Sequence, residues 1–75
     1  MTTGEFRVGI TFNPGGNPVV DQIKRASADL IDLVESIEND VAPAGEVNRL
    51  KAIAMTHIEE AAMSAVKAAT KPART

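Results

Sequence analysis

The sequence predicts an all-α protein: an antiparallel two-helix hairpin with an extended N-terminal arm, assembled into a homo-oligomeric helical bundle. Three observations carry this reading. Two long stretches repeat their apolar residues at helical spacing, a short proline- and glycine-containing segment joins them, and the 75-residue chain has no cysteine. A domain this small buries a modest share of its surface and is marginal unless a disulfide, a metal or oligomerisation supports it. The absence of cysteine removes both a disulfide framework and a thiolate zinc site, and His57, the single histidine, lacks the partner ligands of a metal centre. Oligomerisation is the support that remains.

One domain is expected, divided into an arm and turn (1–17), a first helix (18–40), a second helix (46–71) and a tail (72–75). In the arm, Phe6, Val8, Ile10 and Phe12 alternate with Arg7, Gly9 and Thr11. That two-residue period is the mark of an extended segment with one buried face. The arm ends in Asn13-Pro14-Gly15-Gly16-Asn17-Pro18, a cluster of turn formers. Asn17 then caps a helix whose first position, Pro18, has no N–H to satisfy. Along that helix Val20, Ile23, Leu30, Val34, Ile37 and Val41 recur in a stripe like a coiled-coil seam, widened by Ala26 and Leu33.

The segment Val41-Ala42-Pro43-Ala44-Gly45 breaks the helix and is short enough to favour an antiparallel return. The second helix is rich in alanine and stops at Lys71-Pro72. It carries two apolar stripes: Leu50, Ala54, Ala61, Ala65 and Ala68 on one side, with Met55, Ile58, Ala62, Ala65 and Ala69 beside it. One partner helix covers only part of so wide a surface, and small alanine side chains let helix axes approach closely. The second helix is therefore the expected seam between subunits.

Composition excludes several functions. A net charge of −2, from ten acidic and eight basic residues, offers no broad basic surface for a run of phosphates, so DNA is not an expected partner. No apolar run approaches the roughly 20 residues that cross a bilayer, and the first residues lack the basic and apolar regions of a secretory signal. A soluble, cytoplasmic protein without a membrane partner is expected. Glu59 and Glu60 are adjacent and so point about 100° apart on a helix, unlike the facing carboxylates of acid–base hydrolysis. His57-Ile58-Glu59-Glu60 lacks the second histidine of a zinc motif, and Ser27, Ser36 and Ser64 have no evident base. No catalytic residue, metal or cofactor is expected.

Binding is better supported than chemistry. The aromatic arm, the Gly15-Gly16 turn leading onto a helix N-terminus, and Lys24-Arg25 beyond it are the parts of a small nucleotide pocket. Helix N–H groups and basic side chains hold phosphate, and an exposed phenylalanine stacks on a base. The same residues also admit a plain structural role, with Phe12 plugging the core and Lys24-Arg25 on a solvated face.

Ile10-Thr11-Phe12-Asn13-Pro14, then Asp21-Gln22-Ile23-Lys24-Arg25-Ala26-Ser27-Ala28-Asp29-Leu30, and above all Ala54-Met55-Thr56-His57-Ile58-Glu59-Glu60-Ala61-Ala62-Met63 resemble the small phage hairpin family of anti-CBASS and anti-Thoeris sponge proteins. The resemblance covers about residues 10 to 71. It implies an anti-defence protein of the infected bacterial cytoplasm that sequesters cyclic dinucleotides, and also cyclic trinucleotides or cyclic ADP-ribose isomers, without cleaving them. It implies a homo-oligomer, a hexamer in the anti-CBASS type, with dinucleotide bases held between an arm aromatic and a first-helix basic residue at pockets shared by protomers. Here Phe12 matches the aromatic and Lys24 or Arg25 the basic residue, and the expected ligand-binding set is Phe12, Asn13, Pro14, Lys24, Arg25 and Ser27. The family often has tyrosine in place of Phe12 and tryptophan in place of Ser64. The alternative is a helical protein-interaction or structural oligomerisation module without a nucleotide ligand.

Overall fold

The computed structural model describes residues 1–74. It contains α1 (Thr3–Val8), α2 (Pro18–Glu35) and α3 (Ala44–Thr70), with no strand among the described residues. The helices α2 and α3 form the antiparallel hairpin, and Asn17 at the start of α2 reaches Ala69 at the end of α3, its Nδ2 donating to the carbonyl at 3.4 Å. The whole is flat and elongated, with extents of 54 × 25 × 13 Å, and α1 packs on α2 while Arg7 reaches α3. Such a shape has almost no interior. Among the described residues Gly4, Val20, Lys24, Ala28, Ile31 and Ala62 are buried.

The extended arm is corrected: its first part is helical. Thr2 and Glu5 make a reciprocal capping box, with Glu5 N donating to Thr2 Oγ1 at 3.1 Å and Thr2 N donating to Glu5 Oε1 at 2.8 Å. This satisfies two N–H groups that would otherwise lack partners. Gly9 ends α1 in the left-handed region at φ 65°, where a side chain would be strained. Phe6 and Phe12 are both exposed, so their alternation with polar residues does not mark a buried face.

Close backbone contact fixes α1 on α2. A Cβ placed on Gly4 would lie 2.1 Å from the carbonyl oxygen of Ala28, so only glycine lets the two helices meet there. Gly4 N donates to Asp32 Oδ1 at 2.7 Å, and Glu5 Oε2 accepts from Arg25 Nη1 at 2.9 Å. The Thr2 backbone N–H, then the Arg25 guanidinium, holds the Glu5 carboxyl down at about 2.

Asn17 and Pro18 start α2 as expected, with Val19 N donating to Asn17 Oδ1 at 2.9 Å. The helix ends at Glu35, however, not at Asp40. Ser36 Oγ donates back to the Leu33 carbonyl at 2.7 Å, and Asn39 Oδ1 accepts from Val41 N and Ala42 N at 3.0 and 3.2 Å. These side chains give the backbone partners that a continuing helix would have supplied. The start of α3 at Ala44 uses the Pro43 carbonyl, which accepts from both Glu46 N and Val47 N at 3.1 Å. Its end at Thr70 follows from the extended Lys71, which precedes Pro72.

The apolar stripe of the first helix also needs correction, because it resolves into two. Val20, Ala28 and Ile31 are buried against the rest of the chain, whereas Leu30, Leu33 and Ile37 are exposed and Val41, in the connection, is 94% exposed. On α3, Ala62 is buried and Met55, Ile58, Ala65 and Ala69 are half-buried, while Leu50, Ala61 and Ala68 are exposed.

Candidate functional site

Between α1 and α2 the chain turns around one ammonium group. After Gly9 the turn closes with Phe12 N donating to the Gly9 carbonyl at 2.9 Å. Lys24 Nζ donates to that same carbonyl at 2.9 Å and also to the Phe12 carbonyl. Lys24 is only 6% exposed, and two carbonyls offset the cost of burying its charge. Its Nζ stands 5.4 Å from the centroid of the Phe12 ring, in cation–π range. Phe12 itself is 70% exposed, so it is not a core plug.

The ring of Phe12 borders two clefts. One, of about 490 Å³, is lined by Arg7, Lys24, Met63, Val66 and Lys67 among others. The other, of about 320 Å³, is lined by Pro14, Asn17, Val20 and Gly15, and it shares Phe12, Lys24, Val66 and Thr70 with the first. The larger lies within the size range of small-ligand pockets. Its lining is mostly apolar, and the charged side chains among it are Arg7, Lys24, Lys67 and Glu59. Arg7 is tied across to α3, its Nε donating to Glu59 Oε1 at 2.8 Å and its Nη2 to Thr56 Oγ1 at 3.4 Å. Lys67 makes no hydrogen bond or ion pair among the described residues.

The residues singled out from sequence divide unequally. Phe12 and Lys24 come together within one chain. Pro14 and Asn13 border the smaller cleft. Asn13 is a clamp on the turn: its Nδ2 donates to the Asn17 carbonyl at 2.8 Å and to Asp21 Oδ1 at 2.9 Å, and its Oδ1 accepts from Asn17 N at 3.2 Å. Arg25 and Ser27 line neither cleft. Arg25 instead bridges Glu5 at 2.9 Å and Asp29 at 2.8 Å, because the position after Lys24 lies about 100° further round the helix. The two carboxylates raise its pKa, Glu5 contributing most. The N–H of Val19 is occupied by Asn17, so α2 does not present that group to an anion.

Sequence reading did not select Arg7 or Lys67 for the site. The spacing of Glu59, Met63, Val66, Lys67 and Thr70, in steps of one to four, places them along one side of α3, and that spacing was available from sequence alone. Glu59 and Glu60 separate as expected, Glu59 toward Arg7 and Glu60 toward His57, with 3.5 Å between Glu60 Oε1 and His57 Nδ1. Among the described residues no cluster of histidine and acidic side chains could hold a metal ion, and no helix is long and apolar enough to cross a membrane.

Residues 3–70 match the family model for the Acb2/Tad1 hairpin domain. No curated protein and no solved structure matches the chain.

Proposed function

The chain belongs to the Acb2/Tad1 hairpin-domain family, whose members have sponge-like anti-defence roles, and from that premise we propose that it binds and sequesters cyclic di- or trinucleotide immune signals without cleaving them. The observation that carries the reading is the exposed Phe12 ring between two clefts, with the Lys24 ammonium behind it and the uncommitted Lys67 at the edge. A base stacks on the ring, an interaction worth about 1–3 kcal/mol. Phosphate oxygens meet Lys67 and Arg7. Lys24 holds the turn that presents Phe12, and its two bonds to carbonyls make it a scaffold first and a ligand contact second.

A small chain suits sequestration, which requires abundance and tight binding and no turnover. The assembly is a homo-oligomer, a hexamer on the family pattern, and the apolar residues left exposed on α2 and α3 support it. In that assembly Arg25 and Ser27 contribute to binding only if a neighbouring protomer's cleft reaches them.

Isothermal titration against a panel of cyclic dinucleotides, cyclic trinucleotides and cyclic ADP-ribose isomers tests the proposal. Binding of at least one member is expected, with the ligand recovered chemically unchanged after denaturation. No heat and no thermal shift with any member would refute it and leave a module that only assembles. A hydrolysed ligand would refute the sponge.

A further inference from the structure

One carboxylate stands among the cations of the larger cleft. Glu59 lines it together with Arg7, Lys24 and Lys67, and on charge alone an anion opposes a ligand that brings phosphates. What Glu59 touches gives it a use. Its Oε1 accepts from Arg7 Nε at 2.8 Å, the two side chains being 33% and 24% exposed. Three residues earlier, on the same side of α3, Thr56 Oγ1 accepts from Arg7 Nη2 at 3.4 Å. Among the described residues these two contacts are the hydrogen bonds that join α1 to α3.

The manner of pairing sets Arg7 apart from the other paired arginines. Arg25 commits all three guanidinium nitrogens to carboxylates, Nε and Nη2 to Asp29 and Nη1 to Glu5. Arg49 places Nε and Nη2 on the two oxygens of Glu46, a bidentate pair. Neither lines the cleft. The fork of Arg7 is split between a carboxylate and a hydroxyl, so that among the described residues its Nη1 makes no hydrogen bond. A guanidinium is planar and rigid, and fixing two of its nitrogens fixes the direction of the third.

Resting on the sequestration reading, we infer that Glu59 is a positioning residue: with Thr56 it clamps the Arg7 guanidinium and holds Nη1 ready for a phosphate oxygen, without itself touching the ligand. A free arginine loses rotamer freedom when a ligand immobilises it, which weakens binding by roughly two- to tenfold for each such side chain. A clamped one has lost that freedom on folding. The role therefore has a sign. As a bare charge Glu59 opposes an anion, and its removal tightens binding; as a clamp it supports the anion through Arg7, and its removal weakens binding.

Isothermal titration of the full chain, with Glu59→Gln, Glu59→Ala, Arg7→Ala and the double alanine variant, tests it. The probe is whichever cyclic dinucleotide, cyclic trinucleotide or cyclic ADP-ribose isomer the wild type binds most tightly, and circular dichroism establishes that each variant is folded at the titration temperature. Glutamine keeps an oxygen for Arg7 Nε and removes the charge, so Glu59→Gln is expected to bind at least as tightly as the wild type. Glu59→Ala is expected to bind about two- to tenfold more weakly. With Arg7→Ala already present nothing remains to clamp, and adding Glu59→Ala should cause no further weakening. In the ligand-free protein the Arg7 Nε–H resonance should be protected from exchange with water in the wild type and Glu59→Gln, and unprotected in Glu59→Ala. Glu59→Ala binding as tightly as the wild type or more tightly would overturn the inference. So would equal losses from Gln and Ala, or a weakening by Glu59→Ala that persists in the Arg7→Ala background. These results leave the sequestration reading in place, whereas a wild type that binds no member of the panel removes that reading and the clamp's role with it.

Discussion

Replacing Gly4 with alanine should destabilise the protein, although helix propensity alone says the opposite. Alanine in a helix is favoured over glycine by about 1 kcal/mol. At this position the new Cβ would sit 2.1 Å from the Ala28 oxygen and 2.7 and 2.8 Å from its carbonyl carbon and Cα, all of them backbone atoms. A carbon–oxygen contact relaxes at about 3.3 Å, so α1 must back away from α2 by more than about 1 Å. That separation breaks the hydrogen bond from Gly4 N to Asp32, a charge-assisted bond worth about 1.5–3 kcal/mol, and loosens Glu5 from Arg25. Overpacking of this kind typically costs about 1–3 kcal/mol. The two costs do not add, since retreat of α1 relieves the clash by giving up the bond. With the propensity gain deducted, the expected loss is about 2 kcal/mol, roughly thirtyfold in the folding equilibrium. Guanidinium unfolding measures it, at one fixed protein concentration so that wild type and variant are compared under the same conditions. Amide exchange should localise the loss to residues 4 to 12. A Gly4→Ala midpoint equal to or above wild type would show that the contact does not hold α1, and would refute the reasoning.

Phe12→Ala should change stability by no more than about 0.5 kcal/mol, the ring being exposed, yet weaken nucleotide binding by about 1–3 kcal/mol in calorimetry. Lys67→Ala should weaken binding and reduce its salt dependence, with melting temperature unmoved; an unchanged salt slope would remove Lys67 from the phosphate contacts. Lys24→Met leaves the Gly9 and Phe12 carbonyls without their ammonium donor, and a loss of about 1–3 kcal/mol with faster amide exchange at residues 9 to 12 is expected. Glu5 gives a pH signature. Its carboxyl is lowered from the ordinary 4.5 to about 2, so its support of α1 is complete above pH 4.5 and disappears as pH falls toward 2. A carboxyl chemical-shift titration locates that window, and in Glu5→Gln the dependence should be absent.

The hairpin could be read in the sequence because its signals are local. Asn17-Pro18 and Lys71-Pro72 mark helix ends through the chemistry of the residues themselves, and α2 and α3 are long enough for their apolar spacing to register. At six residues, α1 is too short for periodicity to decide. It is stabilised by a capping box and by a glycine pressed against Ala28, and the second of these involves a residue far along the chain. The geometry of the candidate site was partly legible for the same reason. Phe12 stood out by type, but the burial of Lys24 depends on the turn that folds over it, and Arg25 points elsewhere because Glu5 and Asp29 hold it. The single stripe drawn through Val20 and Leu30 merged two faces that only the packing of α2 against its neighbours separates.

A slab 13 Å thick has consequences beyond its shape. Where so few side chains are enclosed, a substitution at most positions meets solvent on one side and shifts stability by only a few tenths of a kcal/mol, roughly the range found for exposed sites. The residues that tolerate no exchange are correspondingly few, Gly4 and Lys24 foremost among them. Outside its clefts and the apolar faces left exposed on α2 and α3, such a chain can exchange residues in small steps without unfolding. The residues around its clefts can therefore be retuned over generations, while the hairpin that carries them stays the same.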